Sequence, residues 1–252
     1  MKKFTFLILL IFVFNACEEI ESGEETTYLE SVKVGSSYLY EYEYDDKKRV
    51  TNITHYDNFG KIEKEETRNY NNNDELIEQI FQDNNRAYIS LSTFTYFASD
   101  SVRRNNYTEP NSTIERYDLY FFDALLTCGF KGRYTYDPSG NNLLYYYTTT
   151  NIGNNCSTLL TNYNENSILL KKSKFVVNNT NSAYQKVNLP FLNDYNNNSI
   201  IEVEIRDQNN QIVQDQSYTS TFEYNGLDFP KKEIRTYLDG NTLTLTYNYV
   251  HE

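Results

Sequence analysis

Two histidines, His55 and His251, and three cysteines, Cys17, Cys128 and Cys156, are all that the 252 residues offer for imidazole or thiolate chemistry. That is too few for a zinc cluster built on His or Cys. Both histidines lie in segments that read as strands, and no sequence feature pairs either with a cysteine as nucleophile and base. There is no Gly-x-Ser-x-Gly, no His-Glu-x-x-His and no glycine loop to cradle a phosphate. Asp plus Glu is 35, so a carboxylate pair for glycoside hydrolysis can always be drawn, but no spacing singles one out. Asp57–Gly60 and Asp137–Asn142 carry the oxygen ligands that Ca²⁺ takes, yet lack the Asp-x-Asp-x-Asp order of a loop site, and turn capping accounts for them. The expectation is a protein that is not an enzyme and holds no cofactor or metal. What remains is binding. Tyr145, Tyr146 and Tyr147 are consecutive, so in a strand they alternate between faces and at least one ring points away from the core. An exposed Tyr stacks on sugar rings or anchors a protein interface. The alternative is that they cover a second layer of core, or simply widen an edge of the sheet.

The elements that position these residues are strands. Tyr is 25, Phe 15, Asn 33, Gly 9 and Pro 4. Aromatic rings pack well on a pleated, half-buried surface, and Asn tolerates and caps tight turns. Tyr38, Tyr40, Tyr42 and Tyr44 alternate with Leu39, Glu41 and Glu43, a period of two that a helix would scatter. Turn clusters begin at Asp45, Asp57, Asn71 and Gln82. Strands this short, joined by turns of about four residues, make an antiparallel meander, because parallel strands need long crossovers. Ser99 to Thr113 is polar, contains Pro110 and reads as a long loop. Arg116 to Phe122 is apolar on both faces, and a strand covered on both sides is expected there, or a short helix near Asp123 to Leu126. Regular strands resume at Lys131, and the last hairpin pairs residues 231–237 with 242–250, where Leu243, Leu245, Tyr247 and Tyr249 share a face. The fold expected is all-β: many antiparallel strands forming one large twisted sheet or a partly closed barrel or sandwich, in a single domain over 28–252. The net charge of −12 excludes a nucleic-acid partner, which needs a basic face.

A phrase recurs along the chain. Tyr56-Asp57-Asn58-Phe59-Gly60-Lys61-Ile62 and Tyr70-Asn71-Asn72-Asn73-Asp74-Glu75-Leu76 are two copies, and Tyr44-Asp45, Tyr136-Asp137 and Tyr224-Asn225 begin others. Tyr ends one strand, Asp or Asn caps the turn, and an apolar residue starts the returning strand. This resembles the tyrosine–aspartate (YD) repeats of Rhs- and teneurin-like proteins, and more closely the single-domain Bacteroidota lipoproteins that carry a few degenerate copies. The resemblance implies an antiparallel β-sheet and transfers no catalytic residue. The copies are too few to enclose a cargo.

The N-terminus reads as an address. Lys2 and Lys3 precede an apolar run from Phe4 to Phe14, followed by Asn15, Ala16 and Cys17. Eleven apolar residues are too short for a comfortable membrane span. A small residue followed at once by Cys resembles the lipobox of bacterial lipoproteins, with Phe14 where that family usually has Leu. The resemblance implies a signal peptide over 1–16, cleavage before Cys17 and lipid attachment to it. Residues 17–27 are acidic and read as a flexible tether. An acidic run directly after the lipidated Cys also resembles the surface-export signal of Bacteroidota lipoproteins. In an exported, oxidising compartment Cys128 and Cys156 become a candidate disulfide closing 27 intervening residues, worth about 3–4 kcal/mol by loop closure, with two free thiols as the alternative. Asp100-Ser101-Val102 resembles the Bacteroidota O-glycosylation acceptor, with Ser101 the modified residue. These readings together lead to a lipid-anchored protein of the outer membrane, displayed at the cell surface or facing the periplasm. Its partners would be the membrane through the anchor and a polysaccharide or an envelope protein. A glycan-processing enzyme and a purely structural envelope component are the competing expectations.

Overall fold

The computed structural model describes residues 27–97, 100–108, 112–122, 130–152, 157–182 and 198–251. Cys17, Cys128 and Cys156 lie outside them, as do the signal peptide and nearly all of the acidic tether. Among the described residues sixteen strands follow one another: β1 (Thr27–Val34), β2 (Ser37–Tyr44), β3 (Val50–Tyr56), β4 (Ile62–Tyr70), β5 (Leu76–Asp83), β6 (Tyr88–Phe97), β7 (Ser101–Tyr107), β8 (Arg116–Phe122), β9 (Phe130–Tyr136), β10 (Leu143–Asn151), β11 (Thr158–Asn164), β12 (Leu169–Asn181), β13 (Asn198–Arg206), β14 (Tyr218–Tyr224), β15 (Pro230–Tyr237) and β16 (Thr242–His251). Each pairs antiparallel with its sequence neighbours, and β16 pairs with β1, so the meander closes into a barrel. The expected all-β architecture is therefore present in its closed form.

The turns are built the way the repeated phrase requires. At Asp45, Oδ1 accepts from the backbone N–H of Lys47 at 3.0 Å and of Arg49 at 2.9 Å. The N–H of Lys48 reaches the Asp45 carbonyl at 2.8 Å, and the Asp45 N–H reaches the Arg49 carbonyl at 3.0 Å. Lys48 takes φ +62°. This is a type I turn closed by a left-handed residue. The same bonds recur at Asp57, Asn71, Asp83, Asn164, Asp207 and Asn225. In each, the third residue after the Asp or Asn has positive φ, from Gly60 to Asp74, Arg86, Ser167, Asn210 and Asp228. In each turn the Asx side-chain oxygen caps two backbone N–H groups.

Cross-strand partners share a face, and face assignments remain consistent around the whole ladder. The face that carries the fully buried residues is the inner one, because a convex outer face has nothing above it. Leu29, Val32, Val50, Ile53, Leu245 and Tyr247 form one inner cluster. Leu76, Phe94, Val102 and Tyr120 form another. Inward tyrosines also clasp hairpins at their open ends. Tyr44 donates to the Leu29 carbonyl at 2.7 Å, Tyr70 to Val50 at 2.8 Å, Tyr96 to Leu76 at 3.1 Å and Tyr249 to Pro230 at 2.7 Å. Burial pushes the Tyr44, Tyr70 and Tyr96 phenols up, so they remain protonated donors. Tyr70→Phe keeps the ring and loses the bond. It is expected to cost about 1 kcal/mol in urea unfolding, and an unchanged midpoint would remove the clasp from the account.

Two local expectations are corrected. Residues 101–107 are strand β7 and not part of a long loop, and they pair fully with β6 and β8. The Tyr38-to-Tyr44 alternation is broken by a bulge between the Val32–Tyr40 and Lys33–Tyr38 pairs. Tyr38 turns outward under the Lys33 ammonium, 4.0 Å from its ring centre, and Leu39 joins Tyr40, Tyr42 and Tyr44 on the core.

Candidate functional site

The tyrosine triplet is divided by the wall of β10. Tyr146 pairs with Tyr134 on β9 and Tyr163 on β11 and faces outward. Its ring is stacked on Tyr134 (5.4 Å between centres, 5° between planes) and on Tyr163 (5.0 Å, 19°). Phe121 meets Tyr134 edge-on at 5.5 Å. The ring faces in this ladder are turned toward each other, so solvent meets mainly ring edges. Beside it, Gly132 lacks a side chain and opens a notch of about 310 Å³ lined by Phe121, Lys131, Gly132, Tyr134 and Tyr136.

Tyr145 and Tyr147 face inward, opposite Thr135 and Arg133. The Arg133 guanidinium lies 4.9 Å from the Tyr147 ring centre, 5.8 Å from that of Tyr145 and 5.9 Å from that of Tyr120. Asp118 Oδ1 is 3.9 Å from Arg133 Nε, and that Nε makes no hydrogen bond. Asp118, 2 % exposed, is held by the Thr135 hydroxyl at 2.5 Å and by Asn106 Nδ2 at 3.2 Å. Burial would lower the Arg133 pKa, and the surrounding Tyr147, Tyr120 and Asp118 more than reverse it, so the guanidinium stays charged.

Two other inward carboxylates sit in comparable clusters that the sequence reading missed. Glu66 accepts from Arg68 Nε and Gln79 Nε2, each at 2.6 Å, with His55 Nε2 at 3.8 Å. Glu233 accepts from Arg235 Nε at 2.7 Å, Ser220 Oγ at 2.6 Å and Tyr247 Oη at 2.5 Å. Both clusters use a Glu-x-Arg step, which places acid and base on one face of a strand. That spacing is legible in sequence once the strand is known. Each of the three acids is engaged by its own donors.

Charged side chains stand on the outer face. Lys33 on β1, Glu41 on β2, Glu65 on β4, Arg103 on β7, Lys172 and Lys174 on β12 and Glu202 and Glu204 on β13 all belong to the outward set of cross-strand pairs. Thr244 and Thr246 fill the same face of β16. Among the described residues, β8 to β11 turn a run of rings outward. Ser101 opens β7, and its hydroxyl bonds the Asp100 carboxylate at 3.1 Å and the Phe97 carbonyl at 3.3 Å.

The described residues thus form a closed antiparallel barrel with an aromatic seam outside and acid–base clusters inside. A solved structure of a porin-like protein from Bacteroides uniformis ATCC 8492 is similar over 89 % of this chain and 98 % of that one, with a TM-score of 0.52 and 12 % identity. One from Bacteroides vulgatus ATCC 8482 covers 88 % and 99 %, with a TM-score of 0.49 and 11 % identity. At this identity the likeness concerns fold alone. No family model matches the sequence, and no curated protein matches it.

Proposed function

We propose that this chain is a lipid-anchored cell-envelope protein with a non-catalytic binding role at the outer membrane, held there through Cys17, with the barrel standing in water beside the bilayer. The observation that carries the reading is the charged outer face. A membrane barrel needs an outward apolar band about 25 Å tall, and each Arg or Lys at its midplane costs about 2–4 kcal/mol. Seven-residue strands such as β3, β7, β8 and β14 are also shorter than the roughly 9–11 residues that a tilted membrane strand requires. Attachment by a lipid is then the economical way to keep such a barrel at a membrane. The proposed ligand is a polysaccharide or an envelope protein; the faces of Tyr146 are occupied by neighbouring rings, and the Arg133 guanidinium lies against Tyr145 and Tyr147.

The test is fractionation of the full chain and of Cys17→Ala in a Gram-negative host. The parent is expected in the membrane fraction, released by detergent. Cys17→Ala is expected as a soluble, folded β-protein. A Cys17→Ala chain that remains embedded in the membrane and resists alkaline extraction would overturn the reading in favour of a membrane-spanning barrel.

A further inference from the structure

The outer wall is divided by charge. Strands β6 to β12 contain one acid, Asp118, and it faces inward to Thr135 and Asn106. Arg103 on β7 and Lys172 and Lys174 on β12 stand outward there. Glu41 on β2, Glu65 on β4, Glu78 on β5, Glu202 and Glu204 on β13 and Glu223 on β14 stand outward on the rest of the wall. A chain of net charge −12 thus keeps a run of consecutive strands free of outward acids. Rings occupy the middle of that arc, and cations occupy its two edges. Tyr134, Tyr146 and Tyr163 form the stacked ladder across β9 to β11, and Tyr117 on β8 stacks on Tyr136 at 5.1 Å. Arg103 lies on the strand before β8, its guanidinium 4.5 Å from the Tyr117 ring centre. Lys172 and Lys174 lie on the strand after β11. Lys172 is paired with another cation, Arg206 on β13, and Lys174 Nζ is 2.7 Å from Glu202.

A cylinder resting on a plane touches it along a strip a few strands wide, and the strands on either side rise away. Tyr suits a membrane–water interface, where its ring meets the acyl boundary and its hydroxyl meets water. Lys and Arg are drawn to anionic headgroups just above that level. We infer that β8 to β11 rest on the surface of an anionic bilayer, with Arg103 on one side and Lys172 and Lys174 on the other meeting lipid phosphates, and with the acidic wall turned away. Asp100, Asp137 and Glu165 belong to the connecting turns, so they stand at the rims of the barrel and keep the contact shallow. The anchor reaches the same bilayer. Strand β1 is diametrically opposite β9 in the closed order. Strands about 4.8 Å apart and tilted about 40° make a barrel of this strand number roughly 30 Å across. Residues 17–26 lie between Cys17 and β1 and span at most about 33–36 Å when fully extended. This rests on the lipid-anchored reading above and adds the surface that the barrel turns to the membrane.

The experiment is vesicle co-sedimentation of the full chain carrying Cys17→Ala, which removes the anchor and leaves the wall alone to bind. Vesicles of phosphatidylcholine are compared with vesicles of equal parts phosphatidylcholine and phosphatidylglycerol. The mixed vesicles are expected to bind at least tenfold more tightly. Arg103→Glu combined with Lys172→Glu is expected to remove that preference while leaving the thermal unfolding curve in place, since both side chains stand outside the core. The chain contains no Trp, so a single introduced Trp reports alone. Tyr163→Trp is expected to shift its emission to the blue on the mixed vesicles and to be quenched by brominated lipid. Asn69→Trp, opposite Glu78 on the acidic wall, is expected to do neither. A soluble Cys17→Ala chain that binds neither vesicle would overturn this inference and leave the lipid-anchored reading standing. Equal binding of both vesicles, or equal quenching of the two reporters, would overturn it as well. Self-association without vesicles, abolished by Arg103→Glu with Lys172→Glu, would overturn it in favour of contact with the acidic wall of a second copy. A Cys17→Ala chain recovered only in detergent would overturn the lipid-anchored reading itself, and this inference with it.

Discussion

Replacing Gly132 by Ala is expected to lower the unfolding midpoint by roughly 6–12 °C, the equivalent of about 3 kcal/mol in a chain of this size. In most strands the change would help slightly, because Ala loses less backbone entropy than Gly. Here the sign reverses for a steric reason. A Cβ at Gly132 would lie 2.5 Å from the Tyr147 carbonyl oxygen and 3.4 Å from Thr148 Cα. Both are backbone atoms of the paired strand β10, so no side-chain rotation relieves the overlap. The β9–β10 ladder would have to part where it aligns Tyr134 with Tyr146 on one face and Arg133 with Tyr147 on the other. Gly226 supplies the control. Nothing lies within 4 Å of its Cβ position and its φ is not in the left-handed region, so Gly226→Ala is expected to leave the midpoint within about a degree. Thermal unfolding followed by far-ultraviolet circular dichroism measures both. Equal shifts in the two variants would mean that close approach at Gly132 is not what requires glycine.

Strand β7 shows where sequence reading stops. Arg103 and Asn105 point outward, and Arg104 and Asn106 point inward to Ser92 and Asp118. Alternation is invisible when both faces are polar, so 101–107 looks like loop. The same holds for β4, where Glu63 to Arg68 is a run of charged residues and Thr67. Only the register with Ile53 and Phe81 shows that Glu66 faces the interior. By contrast, Leu243, Leu245, Tyr247 and Tyr249 announce their face plainly and do line the inside. The turn phrase is equally local and equally legible, since every bond it makes falls within five residues. Closure is neither. It depends on Val32 meeting Tyr247 and Leu29 meeting Tyr249 across the whole chain, and no local pattern encodes such a pairing. The tyrosine triplet was legible as divided between faces. Which members faced inward was not, because bulges such as the one between Leu143 and Tyr145 shift the phase.

Glu66 should also make the barrel sensitive to acid. Burial alone would raise its pKa, but His55, the Arg68 charge and Gln79 outweigh burial and bring the carboxyl down to about 2. A carboxyl whose folded pKa lies below its unfolded value of about 4.3 stabilises the fold fully above that unfolded value. The contribution, about 3 kcal/mol by linkage, is lost as pH falls from there toward 2. Glu66→Ala is expected to cost more, about 3–5 kcal/mol at neutral pH, because it leaves a guanidinium in the wall without its carboxylate. Arg68 has only 6 % of its side chain exposed. Against a total stability of roughly 5–15 kcal/mol, this single change brings the barrel near the threshold of folding. Glu66→Leu combined with Arg68→Met removes both charges and keeps the volume. It is expected to recover most of the loss and to flatten the pH profile between 4.3 and 2. Urea unfolding across that range for the parent and the two variants carries the test. If Glu66→Ala keeps the acid sensitivity of the parent, the proton-linked stability of the barrel resides in other carboxylates.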